Sequence, residues 1–219
     1  MQINDFNKLI EWSKTHYHHL PWREMRSVYG TLVSEIMLQQ TTVNTVLNHF
    51  EKFLIKYPNI DALSQISEDQ IIIDWKGLGY YRRARNLLKA AKIVKEKYEG
   101  VIPKNFSDLI SIHGIGDYTA NAILAMGENK PALAVDANLE RVLARYYGLK
   151  AVKGIPLQRE IQKLFSESKI CQEINEIGGR EFNEALMDLG RSFCKARASH
   201  CDLCPLSLTC YSVSHKTQS

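Results

Sequence analysis

Leu109-Ile110-Ser111-Ile112-His113-Gly114-Ile115-Gly116-Asp117-Tyr118-Thr119-Ala120 reads as helix, Gly-x-Gly turn, helix. The glycines permit a tight hairpin and the close approach of another backbone. The second helix then opens with backbone N–H groups aimed outward, where an anion such as phosphate is stabilised. A purely structural αα-turn has the same pattern, so this stretch alone leaves both readings open. A basic segment upstream adds weight to the anion reading. Lys76, Arg82, Arg83, Arg85, Lys89, Lys92, Lys95, Lys97 and Lys104 face only Glu96 and Glu99 as opposing charges. Charge runs commonly form solvated helix faces. This one, however, begins with Gly77-Leu78-Gly79-Tyr80-Tyr81. Glycines, adjacent aromatics and arginines together suit a loop that approaches phosphates and stacks on bases.

Outward from the hairpin, the chain reads as all-α. Ile3, Phe6, Leu9, Ile10 and Trp12 give helical spacing over 3–18, with Pro21 and Trp22 breaking it. Further helices are expected at 28–39, 42–57, 68–75, 80–98, 106–111, 117–127, 137–147, 157–168 and 180–193. Tyr57-Pro58-Asn59 and Gly100 to Pro103 act as stops. No alternating strand pattern, Asn-Gly hairpin, repeat or low-complexity tract competes with this reading. With 219 residues, 45% hydrophobic and 24% charged, the chain can bury a sizeable core. No apolar run approaches the ~20 residues that span a bilayer. The N-terminus lacks the basic and apolar pattern of a signal peptide, so the expected location is cytoplasmic. Lys and Arg total 28 against 24 Asp and Glu, a net charge of +4 that weakly favours a polyanionic partner.

Cys194, Cys201, Cys204 and Cys210 form C-x6-C-x2-C-x5-C near the C-terminus. A cytosolic compartment disfavours disulfides, so a metal site is the better reading than unrelated thiols. Four thiolates suit zinc or an iron–sulfur cluster. Zinc sites usually use paired C-x2-C knuckles, and only one such pair is present, so a loop around one cubane fits better. Lys195, Arg197 and His200 make that loop cationic. Cys171 stands apart and reads as an ordinary buried or half-buried thiol.

These pieces together resemble the endonuclease III superfamily of helix-hairpin-helix DNA glycosylases. The matching segments are Leu20-Pro21-Trp22-Arg23, Ser34-Glu35-Ile36-Met37-Leu38-Gln39-Gln40-Thr41, Gly77-Leu78-Gly79-Tyr80-Tyr81, the hairpin at 112–120, Val135-Asp136-Ala137-Asn138 and the cysteine loop. The second and third of these look specifically like MutY-type adenine glycosylases. The resemblance implies a two-lobed fold. A six-helix barrel with the hairpin would occupy 23–134, and a 4Fe–4S cluster domain would be built from 1–22 and 135–219. DNA would lie across both, with the target base in the cleft between, and the protein would act as a monomer on duplex DNA containing a mismatch, associated with the nucleoid through that binding.

Breaking an N-glycosidic bond requires a proton or hydrogen bonds for the departing base and an anion for the sugar's developing positive charge. The resemblance gives Glu35 the acid role near adenine N7 and sets Asp136 against the sugar. The apolar Ile36, Met37 and Leu38 argue for partial burial of Glu35, which would suit a general acid. Asp136 also reads as an N-cap for the helix at 137–147, and that role is compatible with catalysis. Lyase-type members carry a lysine at position 118, which forms a Schiff base with the sugar. This chain has Tyr118, so the expectation is a monofunctional hydrolase. The resemblance further implies a base pocket of Trp22, Arg23, Leu38, Gln40, Asn138 and Glu184. DNA contacts would come from Gln40, Thr41, Tyr80, Arg83, Arg85, Gly114 and Gly116, and the cluster ligands would be the four clustered cysteines.

Two branches share Tyr at position 118. Val135-Asp136-Ala137-Asn138 departs from the adenine-branch Asp-Gly-Asn and looks like the branch acting on thymine or uracil opposite guanine. Met37-Leu38-Gln39-Gln40 and Asn183-Glu184-Ala185-Leu186 look like the adenine branch, and a carboxylate can accept from adenine's N6 amino group. Adenine is the favoured base. A non-catalytic DNA-binding member is a further alternative, although such a module has no need of both Glu35 and Asp136. Only residues 211–219 follow Cys210, so the C-terminal 8-oxoguanine-reading domain of MutY-type enzymes is expected to be absent.

Overall fold

In the computed structural model, which describes residues 3–150, 153–167 and 169–215, regular structure among the described residues is entirely helical. The helices are α1 (Ile3–Tyr17), α2 (Pro21–Glu24), α3 (Val28–Leu38), α4 (Val43–Leu47), α5 (Phe50–Lys56), α6 (Ile60–Ser64), α7 (Glu68–Asp74) and α8 (Arg82–Tyr98). They continue with α9 (Phe106–Ser111), α10 (Asp117–Ala122), α11 (Ala137–Tyr147), α12 (Ile155–Glu167), α13 (Lys169–Ile177), α14 (Gly179–Ser192) and α15 (Tyr211–Ser214). None is long and apolar enough to cross a membrane.

Small polar residues start many of these helices. Ser27, Thr42, Asn59, Ser67, Asn105 and Asp136 each accept a backbone N–H of the first turn. Several expected boundaries need correction. Pro21 opens α2 rather than only ending α1, because proline's fixed φ suits the first helical position. The single helix expected over 42–57 is two, α4 and α5, separated at Asn48-His49. The break lets Val46, Phe50 and Phe53 all reach the core. The stretch 117–127 is α10 continued by a π-helical turn, Ile123–Gly127. Helices α6 and α13 lay outside the expected set.

The chain divides into two units, 19–128 and 1–18 with 129–219. In the first, α3 is buried along nearly its whole length, from Gly30 to Met37. Its Leu32, Val33, Ile36 and Met37 join a core that includes Phe50, Leu63, Ile71, Trp75 and Leu87. In the second unit, α1, α11 and α14 share a core built on Phe6, Leu9, Leu139, Leu143, Phe182 and Leu186. Phe6 and Phe182 stack with ring centroids 4.9 Å apart. Two polar ties add direction to the α1–α14 packing. The Ser13 hydroxyl donates to Asp188 at 2.6 Å, and Tyr17 and Ser192 share a hydrogen bond of 2.7 Å.

Candidate active site and nucleic-acid interface

Glu35 and Tyr118 meet within unit 19–128. Glu35 projects from α3, whose apolar neighbours draw the helix inward, and the residue is only 6% exposed. Tyr118 is the second residue of α10, and its hydroxyl donates to Glu35 Oε2 at 2.6 Å. The hairpin therefore presents a phenol to a buried carboxyl group, and a protonated carboxyl there can deliver a proton to an acceptor.

The two hairpin glycines differ in what they do. Gly114 has φ +88°, and a Cβ there would stand 2.8 Å from Asn86 Cβ on α8. It is the glycine that allows the hairpin to press on another backbone. Gly116 has extended backbone, φ −95°, and nothing within 4 Å of where a Cβ would stand. It precedes α10 with no side-chain cap, leaving open space at the helix mouth.

Gln40 and Tyr80 are both exposed, and both have positive φ without being glycine, 56° and 46°. Such strain persists only where surroundings over-determine it, and it concentrates at functional sites. Thr41 Oγ1 lies between their two loops, 3.3 Å from the carbonyl oxygen of Leu78. Arg85 is exposed and pairs with Glu68 at 2.6 Å. Arg83 does not fit the expected phosphate contact. It is 8% exposed and its guanidinium is spent on the protein's own carbonyls. Trp22 packs edge-on against Phe50, Arg23 is buried in α2, and Leu38 is half-buried at the end of α3.

The remaining expected site residues lie in the other unit. Asp136 Oδ1 accepts the backbone N–H groups of Asn138 at 2.9 Å and Leu139 at 2.7 Å, which makes it the N-cap of α11. Its Oδ2 accepts from the Asn138 amide at 2.9 Å, and Asn138 Oδ1 accepts from Arg141 at 2.9 Å. Glu184 lies on the inner side of α14, 8% exposed, rather than on a solvent face.

Sequence reasoning missed Asn183. Fully buried, it accepts from Ala134 N–H at 2.8 Å and donates to the carbonyls of Ala132 at 2.9 Å and Gly179 at 2.6 Å. It fastens the segment leading into Asp136 to α14. Its partners at Ala132 and Ala134 are backbone groups distant in sequence, so no local signal marks it. Arg141 and Arg145 were also missed. Spaced i, i+4 on α11, they hold the cysteine loop. Arg141 Nε donates to the Cys194 carbonyl at 2.7 Å, and Arg145 Nη1 donates to the Lys195 carbonyl at 2.7 Å.

Cys194, Cys201, Cys204 and Cys210 line one cavity together with Val142, Tyr146, Leu189, Phe193 and Leu206. None of the four is in a disulfide. Burial pushes the Cys204 thiol up to about 11 despite a backbone hydrogen bond at Leu206. Among the described residues, no group of three or more Cys, His, Asp or Glu is arranged to hold a single metal ion. One zinc ion would draw its sulfurs to ~2.3 Å from a common centre. Four thiols facing one apolar chamber fit a larger all-thiolate group, and the Arg145 guanidinium, 3.4 Å from Cys194 Sγ, suits anionic sulfur. Cys171 is half-buried and is not among the lining residues.

Residues 33–168 match the family model described as HhH-GPD superfamily base excision DNA repair protein. The chain is 41% identical over 213 residues to a protein named adenine DNA glycosylase from Buchnera aphidicola subsp. Baizongia pistaciae, covering 94% of this chain and 58% of that one. It is 33% identical to a protein named thymine-DNA glycosylase from Aeropyrum pernix, covering 93% of this chain and 91% of that one. A solved structure titled as a thermostable thymine-DNA glycosylase superposes with a TM-score of 0.79 at 28% identity, covering 95% of this chain and 94% of that chain. The chain spans 53% to 62% of the length of the three Buchnera adenine DNA glycosylases it matches. With its hairpin of α9 and α10 and a family match across residues 33–168, the chain belongs to the HhH-GPD superfamily of base excision DNA repair proteins.

Proposed function

We propose that this chain is a monofunctional DNA glycosylase that turns adenine out of A:G or A:8-oxoguanine mismatches and hydrolyses its bond to the sugar. The carrying observation is the 2.6 Å hydrogen bond from Tyr118 to the buried Glu35. A phenol occupies the position at which lyase-type members keep an imine-forming lysine, so water rather than the enzyme takes the sugar carbon. Glu35 gives its proton to the departing adenine, and the water that bonds to the sugar carbon releases a proton to solvent. Asp136 supplies the anion that stabilises the cationic sugar, held in orientation by the amides of Asn138 and Leu139. Glu184 accepts from the N6 amino group. Trp22, Arg23, Leu38, Gln40 and Asn138 complete the contacts to the base. Gln40, Thr41 and Tyr80 enter the duplex and read the opposite strand, while Arg85 and the hairpin at Gly114 and Gly116 hold phosphates.

Cys194, Cys201, Cys204 and Cys210 would hold a 4Fe–4S cluster, which fastens the loop and adds charge when bound. Lys195 and Arg197 on that loop are exposed and available to DNA phosphates. The partner is mismatched duplex DNA, and the acting species is a monomer.

Adenine is favoured because the relatives at 39–41% identity carry that name and because Glu184 is an acceptor on the inner side of α14. Removal of thymine or uracil opposite guanine is the second reading. The 33% identity to a thymine-DNA glycosylase and the segment Val135-Asp136-Ala137-Asn138 support it. Single-turnover kinetics on A:G, A:8-oxoguanine, T:G and U:G duplexes separate the two. The expected result is rapid adenine release, with strand breaks only after alkali. Release of thymine or uracil without adenine selects the second reading. No release from any duplex refutes both, and high-yield borohydride trapping of a protein–DNA adduct refutes the monofunctional mechanism.

A further inference from the structure

Arg83 sits in the first turn of α8, in a basic stretch, yet it touches no carboxylate. Nη1 donates to the carbonyls of Ile36 at 2.9 Å and Met37 at 2.8 Å. These belong to the last turn of α3, whose carbonyls lack helical partners and favour a cation. Nη2 donates to Leu78 O at 3.0 Å, Gly79 O at 3.1 Å and Thr41 Oγ1 at 2.8 Å. One planar group thus joins the end of α3 to the loop at 77–81. The guanidinium carbon lies 5.7 Å from the Trp75 ring centroid and 5.6 Å from that of Tyr80. Trp75 Nε1 donates to the Gly79 carbonyl at 3.2 Å and steadies the same loop.

The chain takes left-handed backbone at a non-glycine residue on each side of this junction. Gln40 lies just beyond the α3 carbonyls that Arg83 binds, and Tyr80 follows Gly79 directly. Tyr80 is a large side chain left 62% exposed. Unassisted, both residues would relax to negative φ and turn their side chains elsewhere. Arg83 restricts that freedom by binding backbone oxygens at the end of α3 and in the loop at 77–81 at once, with the Thr41 hydroxyl beside Gln40 held by the same group.

We propose that Arg83 is a positioning residue that sets Gln40 and Tyr80 as one rigid pair, so that both side chains enter a DNA duplex together at the lesion. This rests on the reading of the chain as a DNA glycosylase and deepens it. The role requires arginine. Lysine carries the charge but has no planar fork to reach carbonyls of α3 and of the loop at 77–81 together.

The test uses the full chain and an A:G duplex with 2-aminopurine beside the target adenine. Fluorescence rises when the probe is unstacked. Arg83→Lys is expected to retain the helical circular dichroism spectrum and to bind duplex within about threefold of wild type, because Arg83 makes no phosphate contact. Its fluorescence rise should fall by at least half, and its single-turnover rate about tenfold. Tyr80→Ala alone should lower the rate by about tenfold. Added to Arg83→Lys, it should lower it by less than about twofold, because the pair is already disorganised. Additive losses, or a full fluorescence rise in Arg83→Lys, overturn the proposal in favour of a purely structural arginine.

Should Arg83→Lys fail to fold, Arg83→Gln keeps a planar donor but is too short to bind the end of α3 and the loop at 77–81 at once. It should reduce the fluorescence rise at unchanged affinity, and an unchanged rise overturns the proposal. Wild-type protein that unstacks the probe but releases no base refutes the glycosylase reading and leaves this inference standing. Wild-type protein that does not unstack the probe overturns the inference itself.

Discussion

Replacing Asn183 with alanine removes three hydrogen bonds from a site without solvent access. The side chain satisfies Ala134 N–H and Ala132 C=O, and both residues are themselves buried. Each group left unsatisfied costs about 1–3 kcal/mol, so the pair amounts to about 2–6 kcal/mol. That is a large part of a typical stability of about 5–15 kcal/mol. The third bond, to Gly179 O, adds little because it lies within the helix's own first turn. Urea unfolding followed by circular dichroism reads the effect directly. With a slope of about 2 kcal/mol/M, a loss near 3 kcal/mol moves the midpoint down by about 1.5 M. The single-turnover rate should fall further than duplex affinity, because the loosened segment leads into Asp136. Asn183→Asp provides the control. At a pH where its carboxyl is protonated, it keeps an acceptor for Ala134 N–H and one O–H donor in place of the amide's two, so its loss should be intermediate. A midpoint shift below about 0.3 M for Asn183→Ala would refute the reasoning, since it would mean that the segment finds other partners without loss.

Gly114→Ala should lower the melting temperature by several degrees, because φ +88° and a 2.8 Å approach to Asn86 Cβ both oppose a side chain. Gly116→Ala should leave the melt unchanged and weaken duplex binding, and equal melting losses in the two variants would contradict the distinction between these glycines. Glu184→Leu should slow adenine release about 10–100-fold while leaving any uracil release steady, and an unchanged adenine:uracil ratio would remove Glu184 from the base pocket. Burial pulls the Asp74 carboxyl up, but hydrogen bonds from Lys56, Tyr57 and Gln70 outweigh it and hold the group below its ordinary value. A depressed carboxylate contributes stability above its unfolded pKa and loses it as pH falls through the folded value. The stability difference between wild type and Asp74→Asn should therefore shrink below about pH 4, and a pH-independent difference would contradict the assignment.

Periodicity and caps made most of the fold legible. Helix α9 and helix α11 fall at 106–111 and 137–147 as expected, and Asp136 caps the second as the sequence implied. The break at Asn48-His49 was not legible, because neither glycine nor proline marks it and the core demand of Phe50 and Phe53 makes it. Helix α6 is too short to show a period. Residues whose partners are side chains on distinctive motifs, such as Glu35 and Tyr118, could be singled out from the sequence. Residues whose partners are backbone carbonyls could not. Arg83 looked like any other cation of a basic run, and Asn183 like a neighbour of Glu184. What separates them is tertiary proximity to peptide groups, which carry no identity in the sequence.

Asp136→Asn tests the central claim that a carboxylate drives the bond cleavage. Asparagine caps helices as well as aspartate does, so the N–H groups of Asn138 and Leu139 keep an acceptor while the charge is removed. The measurement is the single-turnover rate of adenine release from an A:G duplex, set against the dissociation constant for the same duplex. The account predicts a rate loss of about 100-fold or more with affinity within about threefold of wild type. A rate within a few-fold of wild type, or a rate and affinity that fall together, would contradict it.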